Sequence, residues 1–127
     1  MLYIDVMSRT PVYEQIVGQI EKLIGAGILK EGEQLPSVRS LSIELSVNPN
    51  TIQKAYGELD SKGIIGSVPG KGCYVMPGAG EKLRAIARGR LTLLTDLASE
   101  LIAAGVTIED IEEAVSKAYK SCKEDAK

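Results

Sequence analysis

Apolar residues recur three or four positions apart in three segments of the first half of the chain, a spacing typical of amphipathic helices. A first helix is predicted from Thr10-Pro11, a capping residue followed by a favoured first residue, to Gly27. Ser37 and Asn48 are typical N-cap residues and predict the starts of two further helices, the second running to about residue 46 and the third to about residue 62. The three apolar stripes comprise Val12, Ile16, Ile20, Leu23 and Ile24; Val38, Leu41 and Leu45; and Ile52, Ala55, Tyr56 and Leu59.

Two short strand-like runs follow the third helix, at residues 64–68 and 73–76. They are separated by Pro69-Gly70-Lys71-Gly72, a strong turn signal, so they predict an antiparallel β-hairpin. Another short β-like segment is predicted at residues 3–6. The small and helix-breaking residues Pro77-Gly78-Ala79-Gly80 predict a linker, which would separate a domain of residues 1–77 from a tail of residues 78–127.

The tail is predicted to form two helices, one from Glu81 to about Ala104 and another starting at Thr107-Ile108-Glu109-Asp110, which resembles a capping box. Their apolar stripes are too broad for helices that bury only one edge, so they require a partner. We therefore predict a dimerisation surface in the tail. Its candidate residues are Leu83, Ile86, Leu94, Leu97, Leu101, Ile111, Val115 and Ala118.

Composition excludes several classes of protein. The chain contains two Cys and no His, without the spacing of a zinc site, so we expect no metal or other cofactor, reduced cysteines and a cytoplasmic location. There is no signal-like start and no apolar run long enough for a membrane span. The net charge of −2 gives no bulk support for nucleic-acid binding, so any DNA contact must depend on a local patch.

Three short helices followed by a glycine-tipped hairpin are the element order of a winged helix-turn-helix, a mainly α fold with a small β-hairpin wing. In that fold the third helix enters the major groove of DNA, and amide, hydroxyl and ammonium groups on its outward side can contact bases and phosphates. The start of the second helix and the wing tip can contact phosphates or the minor groove. The candidate DNA-binding residues are Ser37, Arg39, Asn48, Asn50, Thr51, Gln53, Lys54, Gly70, Lys71 and Gly72.

Four linked motifs resemble the GntR family of bacterial transcription regulators. They are Pro11-Val12-Tyr13-Glu14-Gln15-Ile16, Gly32-Glu33-Gln34-Leu35-Pro36-Ser37-Val38-Arg39, Val47-Asn48-Pro49-Asn50-Thr51-Ile52-Gln53-Lys54-Ala55-Tyr56 with Glu58-Leu59, and Gly70-Lys71-Gly72-Cys73-Tyr74-Val75. The short helical tail is similar to that of the YtrA-like branch. This resemblance implies a homodimer that binds a palindromic operator in double-stranded DNA and represses its own operon, often one with a transporter. The resemblance does not decide whether a small-molecule effector controls the protein. Pro49 and Gln53 stand where other branches place Arg, which leaves the base specificity open.

Two other functions, an enzyme and a protein-binding module, are alternatives to the regulator. Some GntR relatives carry an aminotransferase-like domain, but that domain needs several hundred more residues. No paired acid and base motif and no phosphate-binding loop is visible, so we expect no catalytic residues and no enzyme. A winged helix that binds a protein partner instead of DNA is the other alternative. Such a protein should expose an apolar patch on its third helix, whereas the outward residues here are polar.

Overall fold

The computed structural model describes residues 2–125, which form six helices and one two-stranded antiparallel sheet. The chain divides into two compact units, Met1–Ala85 and Ile86–Lys127. No helix in the described residues has both the length and the apolar character needed to span a bilayer. The elements in chain order are α1 (Val12–Gly25), α2 (Val38–Leu45), α3 (Pro49–Ser61), β1 (Ile65–Val68), β2 (Gly72–Val75), α4 (Ala79–Gly89), α5 (Leu91–Ala103) and α6 (Ile108–Asp125).

The core of the first unit is built around α3, which packs against α1, α2 and β1. The three predicted apolar stripes all point into this core, as the helical spacing required. Burying a side chain of this size contributes about 1.5–3 kcal/mol relative to leaving it in water. The largest side chains that are fully buried are Ile16, Ile20, Leu41, Ile52, Leu59, Ile64, Ile65 and Val75.

The predicted N-caps of α2 and α3 are confirmed. The Ser37 Oγ accepts a hydrogen bond from the Ser40 backbone N–H at 3.0 Å, and the Asn48 Oδ1 accepts one from the Asn50 N–H at 2.8 Å. Each bond satisfies a backbone donor that has no partner within its helix. The turn between the two helices passes through Ser46, which adopts a left-handed conformation with φ 55°.

The start of α1 differs from the prediction. Pro11 occupies the N-cap position and Thr10 does not cap the helix. The segment before it is not a β-strand. Two glutamine side chains of α1 take the place of a neighbouring strand, since the amide of Gln19 bonds both the N–H and the carbonyl of Tyr3, and that of Gln15 bonds both groups of Asp5. The extended segment is thereby fixed to α1 without belonging to a sheet.

The predicted hairpin is present, with Ile65 paired to Val75 and Val68 paired to Gly72. Its second strand also bonds the segment that leads into α2. The Gly32 N–H donates to the Val75 carbonyl, and the Leu35 N–H donates to the Cys73 carbonyl. β2 therefore has backbone partners on both edges, and the hairpin is tied to the entrance of α2.

The predicted linker at residues 77–80 belongs to the first unit. Ala79 is completely buried, and the Gly78 N–H donates to the Glu31 carboxylate at 2.8 Å. Leu83, predicted in the tail seam, is half-buried against the same core. The division between the units falls after Ala85, within α4. The helix-breaking composition of residues 77–80 thus marks a turn into α4 and not a flexible connection.

The second unit contains the end of α4 together with α5 and α6. The single long helix predicted from Glu81 to Ala104 is wrong, because α4 and α5 are separate helices. It is interrupted at Arg90, next to Gly89, because glycine in a helix interior is unfavourable. The Thr107 Oγ accepts from the Asp110 N–H at 3.2 Å, which confirms Thr107 as a cap of α6. Within residues 86–123, whose side-chain exposure the structure describes, no residue is buried.

Candidate nucleic-acid interface

The two faces of α3 have opposite environments. Ile52, Ala55 and Leu59 are fully buried, whereas Asn50, Gln53, Lys54 and Gly57 are exposed. Because the buried residues recur every three or four positions, they fix the rotation of the helix and direct the intervening polar residues outward. This arrangement presents the first two turns of α3 as a continuous polar surface.

The exposed residues of α3 border two open clefts. Asn50, Thr51 and Lys54 line the α1–α3 cleft together with Pro11, Val12 and Tyr13. Gln53 lies on the other side, in the α3–wing cleft, which is also lined by Val38 of α2 and by Ser67 and Cys73 of the hairpin. The structure thus divides the predicted contact residues of α3 between a cleft toward α1 and a cleft toward the wing.

The start of α2 is held against α3 by a buried hydroxyl. The Tyr56 hydroxyl donates a hydrogen bond to the Pro36 carbonyl at 2.7 Å, one residue before the Ser37 cap. Burial raises the pKa of Tyr56, and the nearby Cys73 and Glu44 raise it further, so the hydroxyl keeps its proton and remains a donor. Arg39 in the first turn of α2 is exposed.

The wing tip is a tight turn with a defined conformation. The Lys71 N–H donates to the Val68 carbonyl, and Pro69-Gly70 stand between them with Gly70 at φ 78°, as in a type II turn. Gly72 has φ 105°. A side chain at either glycine would be strained, so both residues are required by the turn itself.

Two residues that received no predicted role organise this surface. The Gln34 amide donates to the Lys71 carbonyl at 2.6 Å and thereby fixes the wing tip to the segment before α2. Tyr13 of α1 lies under the Lys54 ammonium, with 4.0 Å between Nζ and the ring centroid. Both belong to motifs that carry the family resemblance, which is the one sequence signal that singles them out. Their roles depend on contacts between distant parts of the chain.

All the predicted DNA-binding residues are exposed, except that Thr51 is half-buried. Within the part of the chain that the structure describes, Arg39, Lys54 and Lys71 form no salt bridge with a carboxylate. No salt bridge in that part of the chain offsets the positive charge of these three side chains, so each can attract an anion. Since amides and a hydroxyl lie beside them, the surface offers the donors and acceptors that reading a base edge requires.

Three helices, a left-handed turn between the second and third, and a glycine-tipped hairpin define a winged helix-turn-helix protein. The sequence profile described as bacterial regulatory proteins, gntR family, matches residues 12–75. The HTH-type transcriptional repressor YtrA of Bacillus subtilis is 41% identical over 117 residues, which is 89% of this chain and 88% of that protein. The chain belongs to the GntR family of bacterial transcription regulators, and the resemblance predicted from its motifs is confirmed.

Solved structures agree with this assignment. A GntR family transcriptional regulator from Listeria monocytogenes is 37% identical, with a TM-score of 0.71 over 90% of this chain and 98% of that one. The structure of the DNA-binding domain of AraR in complex with operator ORX1 is 32% identical, with a TM-score of 0.52 over 58% of this chain and 92% of that one. The family and these relatives are DNA-binding transcription regulators and not enzymes.

The Tyr56 hydrogen bond can be tested by Tyr56→Phe. We expect the free energy of unfolding to fall by about 1 kcal/mol, because the Pro36 carbonyl loses its partner. The stability difference between the wild type and the variant should shrink above pH 10. There Tyr56 ionises in the unfolded wild-type chain but stays protonated in the folded protein, where its pKa is raised, so the wild type loses stability as the pH rises. Urea unfolding measures both effects. Tyr3→Phe at an exposed tyrosine is the control and should be neutral. Equal stability of Tyr56→Phe and wild type would contradict the assigned role.

Proposed function

We propose that the protein is a sequence-specific repressor that binds a palindromic operator as a homodimer, with α3 of each copy in the major groove. The observation that carries this proposal is the exposed polar face at the start of α3, held in place by a fully buried opposite face. The AraR domain that this chain resembles is bound to its operator, which supports the same use of the fold here. An apolar patch, which binding a protein through α3 would require, is missing among the exposed residues of that face.

Individual side chains suit distinct contacts. The amides of Asn50 and Gln53 can bond adenine in two places, and the Lys54 ammonium can reach guanine or a phosphate. Asn48 and Ser37 use side-chain oxygens to cap their helices, so we assign them contacts through the hydroxyl proton, the amide protons or nearby backbone N–H groups. Thr51, half-buried in the α1–α3 cleft, is assigned a hydroxyl contact at its edge.

Arg39 and the wing tip would contact the DNA beside the bases that α3 reads. Arg39 is placed in the first turn of α2, where a guanidinium can bind a phosphate or a guanine. At the wing tip, Gly70 and Gly72 leave the backbone uncovered, so Lys71 can approach a phosphate or the minor groove closely. The Gln34 hydrogen bond to the Lys71 carbonyl fixes the backbone from which this lysine side chain extends.

The second unit supports the homodimer. Two helices with no buried side chain in residues 86–123 have no core of their own, and large leucines stay about half exposed: Leu94 47%, Leu97 52% and Leu101 37%. Exposed apolar surface of this extent marks an interface. A groove of about 240 Å³ between α5 and α6 is lined almost entirely by apolar side chains. We propose that a second copy covers it through Ile86, Leu94, Leu97, Leu101, Ile111, Val115 and Ala118. An effector that entered the same groove would compete with that copy.

The regulated genes are proposed from the family resemblance. The YtrA relative is a transcriptional repressor, which supports repression as the outcome of binding. We propose that the operator lies upstream of the protein's own operon, which would include a transporter, and that the protein works in the cytoplasm beside the chromosome. Two heads in one dimer would read half-sites about one DNA turn, ~34 Å, apart.

The direct test is a selection of genomic DNA fragments by the purified protein at two salt concentrations. We expect recovery of an inverted repeat upstream of its own gene, bound by two copies. The near-neutral charge predicts a small non-specific component, so the specific fragments should remain enriched at the higher salt. Recovery of sequence-independent fragments, or of none, would contradict a sequence-specific repressor.

The assigned surface predicts that Arg39→Ala and Lys54→Ala each weaken operator binding about tenfold while the domain stays folded. Both side chains are exposed, so their removal leaves the core intact. Fluorescence anisotropy with the selected operator measures the affinity. Lys22→Ala, at an exposed lysine in the last turn of α1, is the control and should bind as wild type does. Unchanged affinity in both variants would exclude this surface.

The proposed dimer interface predicts that a chain ending after Ala85 is folded but monomeric. This truncation keeps Ala79 and Leu83, which pack against the first core, and removes the exposed apolar helices. A matched truncation after Gly78 removes both residues and should unfold at a lower temperature. Sedimentation and thermal unfolding measure the two properties. A chain ending at Ala85 that still dimerises would refute the role proposed for the second unit.

A further inference from the structure

Lys54 is held by an aromatic ring from another helix. Its Nζ lies 4.0 Å from the centroid of the Tyr13 ring, a distance within the range of a cation–π interaction. Tyr13 stands in the first turn of α1 and is half-buried against the core. The two residues are far apart in the sequence and meet across the α1–α3 cleft. The contact is thus a product of the tertiary fold.

Lys54 and Lys123 each lie over a tyrosine ring, at 4.0 Å and 5.4 Å, whereas Lys62 and Lys117 have a carboxylate partner. Lys62 pairs with the Glu21 carboxylate at 3.2 Å, and Lys117 pairs with Glu113 at 3.5 Å. A carboxylate offsets the lysine charge and would repel an approaching phosphate. The face of a tyrosine ring attracts the ammonium through its quadrupole while leaving the net charge in place. Lys54 forms no salt bridge in the described residues, although the carboxylates of Glu14 and Glu58 lie near the same ring, so its ammonium keeps the ability to attract an anion.

The half-buried packing of Tyr13 against the core holds its ring in place. The Tyr13 hydroxyl donates a hydrogen bond to the Glu14 carboxylate at 3.1 Å, which raises the pKa of Tyr13 and keeps the phenol neutral. A free lysine side chain loses rotamer entropy when it is immobilised. A lysine that already rests on a ring loses less of this entropy when it binds DNA. The arrangement preorganises an exposed side chain that has no other support.

We propose that Tyr13 is a positioning residue for DNA recognition, which holds the Lys54 ammonium at the edge of the reading surface without neutralising it. This inference rests on the proposed function, because it concerns how Lys54 meets its operator. It assigns α1 a part in recognition through its first turn. Asn50 and Thr51 line the same cleft, so the position of Lys54 is fixed relative to its neighbours on α3.

The geometry is tested first in the protein without DNA. Protons on the Lys54 side-chain carbons next to Nζ should show upfield NMR shifts, because they lie over an aromatic ring. Tyr13→Leu should abolish these shifts while keeping an apolar side chain against the core. Tyr13→Phe should preserve them, because it keeps the ring and removes only the bond to Glu14. Unshifted protons in the wild type would overturn the inference.

The consequence for binding is tested by a double-mutant cycle with the selected operator. Tyr13→Leu should weaken binding about threefold, because an unsupported Lys54 side chain loses more rotamer entropy on binding, and Tyr13→Phe should bind as wild type does. In a Lys54→Met background, Tyr13→Leu should have no further effect. Lys54→Met should lower the slope of log K against log salt by about 0.9, and Tyr13→Leu should leave the slope unchanged, because the charge remains.

The outcomes separate this inference from the function on which it rests. Additive effects of the two substitutions, or equal loss in Tyr13→Phe and Tyr13→Leu, would overturn the positioning role and leave the repressor proposal standing. A wild-type protein that selects no operator would overturn the repressor and this inference with it. Thermal unfolding of each variant ensures that all binding is measured on folded protein.

Discussion

Ile52, Ala55 and Leu59 are completely buried against the rest of the first unit, and the polar face of α3 depends on this packing. A helix that reads DNA must not rotate about its axis, because a small rotation would exchange the side chains that reach the bases. In many proteins the core and the binding site occupy different elements. Here one helix of 13 residues would serve both, so its sequence alternates between residues whose volume the core fixes and residues that the core does not constrain.

Three contacts hold the proposed DNA-binding surface together. α1 packs along one side of α3, the Tyr56 hydroxyl fixes the beginning of α2, and the Gln34 amide fixes the wing tip. Each contact joins residues that lie well apart in the chain. As a result, the proposed contact residues belong to one body, and the protein needs no large conformational change to assemble them. A preordered surface of this kind lowers the entropy lost on binding.

Local chemistry explains which features were predictable from the sequence. Ser37 and Asn48 cap their helices through atoms two or three residues away, so their roles are visible in a short window. The hairpin turn is likewise set locally, by Pro69, Gly70 and Gly72. Ala79, Leu83, Tyr13 and Gln34 were not predictable in the same way, because each is placed by a distant partner. The interruption at Arg90 was only partly predictable. Gly89 weakens a helix locally, but the sequence does not show whether tertiary contacts keep the helix continuous at that point.

The absence of buried side chains in residues 86–123 has a consequence for the life of the protein in a cell. Before it assembles, a newly made chain would expose the leucine-rich helices α5 and α6 to proteases and chaperones. Assembly with a second copy would hide it. The rate of degradation would then fall as the concentration of the protein rises, because assembly is a second-order process. Under the proposed repression of its own operon, the protein would be cleared fastest when it is scarce, which would sharpen the concentration at which that operon switches on.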